Sequence, residues 1–184
     1  MRNVVLGLAG LTLLVACSKA PGNAANTAAA PASAAPTSAA AAAAAPTPVA
    51  GPAVSGSYTV DGKAAVLTQV TTHKDDPFDG QPVTDLVFTA KDQAGDAKAA
   101  DDALFGNFGD AMVVKIEPDG SVIGADIVHS GLKEQGSVSL SGVLTVKNYQ
   151  GAGGQISGEL TSAGPTDVFG QKVDVDLTFH TAAP

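Results

Sequence analysis

The sequence predicts an all-β fold, an antiparallel sandwich or barrel of about eight strands with one short helix, carried by residues 54–184. Three observations predict it. Apolar and polar residues alternate with period two in several segments, and Gly/Asp turn signals recur between them. The aromatic fraction is only 4% with no Trp, so Val, Leu, Ile and Phe must supply the core. A domain of about 130 residues buries enough surface to fold without disulfides.

The elements follow in chain order. Residues 1–16, MRNVVLGLAGLTLLVA, set Arg2 ahead of an apolar stretch from Val4 to Ala16. That stretch is shorter than the roughly 20 residues a membrane-spanning helix requires and has the length of an export signal. Residues 17–53 begin at Cys17 and continue almost wholly as Ala, Pro, Thr, Ser, Gly and Asn. With Val49 as the only large hydrophobe after Ser18, this tract cannot offset the entropy of ordering. It reads as a disordered tether, reaching on the order of 110 Å when extended and about 35 Å as a coil.

From Val54 the texture changes. SGSYTVDGKAAVLTQVTTH turns at Asp61-Gly62, a strong hairpin signal. VTDLVFTAK has the apolar centre Leu86-Val87-Phe88, which predicts a strand buried on both faces. GDAKAADDALFG is the one helical candidate, with Asp96 to cap its start and Gly106 its end. AMVVKIEPDGSVIGADIV folds back at Pro118-Asp119-Gly120. SVSLSGVLTVKNY alternates as one strand, with Gly142 interrupting the apolar row as at a bulge, and pairs with QISGELTS across GAGG. The last strand alternates Val173, Val175, Leu177 and Phe179 with Asp174, Asp176, Thr178 and His180.

The end of the apolar leader, Leu14-Val15-Ala16-Cys17, resembles the lipobox of bacterial lipoproteins. The resemblance covers about the first 20 residues, where charged start, apolar run, small residues and Cys come in the right order. It implies cleavage between Ala16 and Cys17 and a diacylglyceryl lipid on the Cys17 thiol, with no other cofactor. A plain secretory signal is the competing reading, but it leaves the single Cys of an exported chain without a disulfide partner. In that family Asp after the cysteine favours the inner membrane; here it is Ser18, which implies outer-membrane anchoring facing the periplasm. The β domain resembles uncharacterised domains of bacterial lipoproteins and brings no activity with it.

Charge narrows the partners. All eighteen acidic residues lie at or beyond Asp61, against eight lysines, a balance of −10 in that segment. Such a domain repels phosphate backbones, which argues against nucleic acid. The histidines His73, His129 and His180 are too widely spaced for a short metal motif. His73 reads as part of a solvated turn beside Lys74, and His129, in phase with Ala125 and Ile127, as partly buried and hydrogen-bonded.

The acidic loop with Asp75, Asp76, Asp79 and Asp85 is dense enough in oxygen ligands to consider Ca²⁺. It departs from the EF-hand pattern, with Pro77 at the third position and Leu86 at the twelfth. GAGG at 151–154 lacks the Lys-Ser/Thr of a phosphate loop, and Ser137, Ser139 and Ser141 alternate along a strand with no base beside them. The expectation is therefore a membrane-anchored, non-enzymatic interaction or structural module with a protein partner in the cell envelope. The alternative is a lipoprotein that binds a small ligand or a metal such as Ca²⁺ or Zn²⁺.

Overall fold

The computed structural model describes residues 53–93, 95–134 and 136–184. The expected signal, Ala16, Cys17 and the tether up to Pro52 lie outside the described residues.

Two antiparallel sheets face each other. The first has the order β2 (Lys63–Ala65), β1 (Val54–Val60), β11 (Gln171–Ala182), β9 (Gln155–Thr161), β8 (Thr145–Ala152), with β10 (Thr166–Val168) also on β11. The second runs β3 (Gln69–Phe78), β4 (Gln81–Thr89), β5 (Ala111–Ile116), β6 (Val122–Val128), β7 (Val138–Leu140). Eleven strands stand where eight are expected: the second arm of the first hairpin divides into β2 and β3, SVSLSGVLTVKNY divides into β7 and β8, and the three-residue β10 lies in no expected strand. Pieces this short carry too little alternation to register as strands in the sequence.

The core is what the alternation predicts. Val173, Val175, Leu177 and Phe179 point inward from β11 against Leu86, Phe88, Met112, Val114 and Ile127 of the second sheet. Each such side chain contributes about 1.5–3 kcal/mol when fully buried. Phe88 and Phe179 meet edge to face across the sandwich, with ring centroids 5.5 Å apart. Gly56 marks the closest backbone approach: its φ is +124°, and a Cβ there would lie 2.1 Å from the Asp176 carbonyl oxygen.

The both-face burial of Leu86-Val87-Phe88 has a direct cause. Leu86 and Phe88 face the core, while Val87 faces outward with Ala111 and Val113, beneath the helix α1 (Ala99–Leu104). The start of α1 differs from expectation. Its N-cap is Lys98, which makes no side-chain cap bond; Asp96 instead accepts from the Lys98 N–H at 2.8 Å and closes the turn before the helix. Gly106 does end it, with φ +77° and its N–H donating to Ala103.

A second difference concerns SVSLSGVLTVKNY, which is two strands in two sheets. Val138–Leu140 pairs with β6, and Thr145–Ala152 pairs with β9. Gly142, at φ +66°, lies in the crossing between them rather than at a bulge within one strand. Leu140 and Leu144 both stay in the core, so the apolar phase survives the change of sheet. That continuity is why the segment reads as one strand.

The strand directions define two ends. Ala53 and Ala182 lie at one end with the β8–β9 turn, where the Ala183 N–H donates to Gly154. At the other end are the β1–β2 turn, the β10–β11 turn and the 129–137 loop. The seven-residue ladder of β1 on β11 separates the two by about 20 Å.

Candidate functional site

The four acidic residues of the 75–85 loop divide. The register sets His73, Asp85 and Lys115 in one row across β3, β4 and β5, on the face of the second sheet away from the core. Lys115 Nζ donates to Asp75 and stands 3.4 Å from Asp85 Oδ1. Asp76 alternates to the other side of β3 and is exposed, and Asp79, itself at φ +48°, occupies the tight turn with Gly80. The ammonium thus sits where a cation shared by Asp75 and Asp85 would have to lie. Among the described residues no group of three or more His, Cys, Asp or Glu converges as a metal site. His73 is a strand residue, not part of a turn, and its Nε2 shares a 3.0 Å hydrogen bond with Thr71.

Burial sets the electrostatics of this row. Asp85 is only 7% exposed, and that desolvation raises its pKa despite the opposing pull of Lys115. The hydrogen bond from Lys115 lowers that of Asp75. Desolvation also works against the Lys115 ammonium, but the bond to Asp75 and the Asp85 charge outweigh it and hold the lysine above its ordinary value. This is an ion triad that fastens β3, β4 and β5 together. Its chemistry is used internally.

His129 is buried, as its phase predicts, with its ring edge-on to Tyr58 at 4.7 Å. Its Nδ1 accepts from the Gly131 N–H at 2.7 Å, and its buried Nε2 has no hydrogen-bond partner. Desolvation lowers its pKa, which favours the neutral ring in the fold. Burial likewise drives the Tyr58 phenol far above the usual tyrosine range, and the hydroxyl donates to the Val128 carbonyl. The pair closes one end of the core. His180, on the outer face of β11, is half-buried.

The exposed chemistry lies at the end away from Ala53. Gln171 organises it from the start of β11: its Oε1 accepts from the Lys133 N–H at 3.0 Å, and its Nε2 donates to the Gly131 carbonyl and to Asp61. Lys133 Nζ donates to the Gly170 carbonyl at 3.2 Å. These bonds tie the 129–137 loop to both turns. Beside them runs a groove of about 490 Å³, walled by Val138 and Ser139 on one side and Phe169 on the other. It continues along Leu140 and Val168. Ser139, one of the three alternating serines, donates its hydroxyl to Asp126. Glu134 at the groove mouth has no ion-pair partner among the described residues.

Two phenylalanines stand out of this end. Phe105 follows α1 beside Gly106 and is 83% exposed; Phe169 in the β10–β11 turn is 84% exposed. Phe169 is also out of place conformationally. Four hairpin turns put two successive residues at positive φ: Asp61-Gly62, Asp79-Gly80, Gly153-Gly154 and Phe169-Gly170. Asp is at home in that left-handed conformation, and a bulky aromatic is not. Sequence reasoning passed over Phe169 and Lys115. The signal for the first was available, as an X-Gly pair between alternating strands with an aromatic where Asn or Asp belongs. No signal places Lys115 against Asp75, since the contact spans a long-range register. No protein-family model, curated protein or solved structure matches the chain.

Proposed function

We propose that the chain is a lipid-anchored envelope protein whose β domain is a non-enzymatic docking module. The anchor is Cys17, at the periplasmic face of the outer membrane. The docking end is the one bearing Phe105, Phe169 and the groove. The observation that carries the reading is Phe169: a large aromatic left 84% exposed, in a backbone conformation that disfavours it, buries little of its ring within the domain. Outliers of this kind are retained at functional positions, and exposed aromatics are the residues that anchor interfaces. Both features face away from the end at which Ala53 enters, which suits a module presented outward on a tether.

Two experiments test the two halves. Cys17→Ala should abolish lipid labelling and leave an unprocessed or soluble form; normal membrane attachment of that variant overturns the anchor. In-cell crosslinking from a photoreactive residue at position 169 should yield discrete adducts, whereas one at exposed Phe78, at the opposite end, should not. Equal labelling from both positions overturns the docking end.

A further inference from the structure

The groove beside Phe169 is bounded by two unfinished sheet edges. β7 pairs only with β6, and β10 pairs only with β11. They are not hydrogen-bonded to each other, and among the described residues no loop backbone bonds to residues 138–140 or 166–168. Each strand therefore turns an open edge toward the same slot, at the place where the chain's crossing at Ser141–Leu144 leaves β10 without the neighbour that β8 gives β9. An open edge of this kind presents unpaired N–H and C=O groups on which a further strand can be templated.

Resting on the docking reading above, we infer that this slot receives an extended peptide segment of a partner protein, which adds a strand to β7 or β10 with one apolar side chain packed under Phe169. Main-chain bonds supply the pairing, and alternate side chains supply the specificity. The partner segment is basic. Lys172 is paired with Asp167, whereas Lys133 meets only the neutral Gly170 carbonyl and keeps its charge; the acidic excess is carried by Glu134 together with Asp126, which accepts from Ser139 of the groove wall, within a domain that is strongly acidic as a whole. Complementary charge steers such a segment in.

Two other occupants fit less well. The chain's own tether carries Pro31, Pro36, Pro46 and Pro48, which lack the N–H a ladder needs. A second copy joined only through two three-residue edges buries far less than the roughly 1,200–2,000 Å² of a stable interface.

The test uses the full chain in detergent against a displayed library of random dodecamer peptides. Enriched peptides should alternate β-branched or aromatic residues, carry Lys or Arg, and lack Pro in the central run. The best of them is then resynthesised with N-methyl groups on alternate amides, in both phases. One phase should abolish binding and the other leave it within about twofold, because only every second amide of an added strand faces its neighbour. Phe169→Asn should weaken binding at least about tenfold, and Glu134→Gln should flatten its salt dependence.

Equal binding by both N-methyl phases overturns strand addition while leaving the docking end standing. Enrichment of no peptide, or of peptides indifferent to Phe169→Asn, overturns both. A concentration-dependent dimer that Phe169→Asn dissolves overturns the peptide in favour of a second copy.

Discussion

Replacing Phe169 by Asn should make the domain more stable. At φ +50° an ordinary L-residue carries a left-handed cost of about 1–2 kcal/mol, and Asn relieves most of it. Little is lost in exchange, because the ring is 84% exposed and the next residue, Gly170, already accommodates the turn at φ +75°. A gain of about 1 kcal/mol follows, or roughly 3–5 °C in Tm for a domain of this size. Phe105→Asn is the control: it removes a ring of nearly equal exposure from a residue at φ −83°, where there is no strain to relieve. Its effect should stay within about 0.5 kcal/mol. Thermal unfolding by circular dichroism, with urea midpoints at constant m-value, measures both. A fall in Tm for Phe169→Asn would refute the reasoning, because it would mean that the ring holds the turn together and its exposure serves stability after all.

Other outcomes follow from the same geometry. Gly56→Ala forces a methyl against the Asp176 carbonyl and should lower stability by roughly 3 kcal/mol, read from the urea midpoint; a loss under 1 kcal/mol would show that β1 and β11 part easily. Lys115→Met leaves Asp85 buried and unpaired, costing about 2 kcal/mol near pH 7 after allowing for the partial exposure of the lysine. That deficit should shrink as the pH falls and Asp85, whose pKa is raised, takes up a proton ahead of an ordinary Asp. His129 has a lowered pKa, so its neutral form favours the fold above about pH 6.5, and that stability is lost as the pH falls and the unfolded chain takes up the proton. Comparing urea midpoints at pH 7.5 and 5 in wild type and His129→Phe isolates this share, and parallel losses in the two proteins would exclude it.

The sequence-based reading succeeds where period two runs beside a strong turn signal. β11 reads correctly residue by residue because its buried and exposed positions alternate along nearly its whole length. Leu86-Val87-Phe88 also reads correctly, since burial on both faces requires apolar neighbours whatever the covering element is. The failure at SVSLSGVLTVKNY is of another kind: alternation reports which face is buried but not which sheet the strand belongs to, and Leu140 of β7 and Leu144 at the end of the crossing face one core on either side of the change of sheet. The acidic loop misleads for a related reason. Local density brings Asp75, Asp76, Asp79 and Asp85 together in sequence, whereas strand alternation parts Asp75 from Asp76 and the β4–β5 register delivers Lys115 to the first and last of them.

The β1–β11 ladder has a mechanical consequence. On the proposed arrangement the anchor pulls at Ala53, the N-terminal end of β1, while a partner held beside Phe169 pulls at the N-terminal end of β11. These strands are antiparallel neighbours in register from Val54 on Phe179 to Val60 on Val173. Tension between envelope and partner would then run along the strands and load their cross-links together in shear, rather than peeling them apart one at a time.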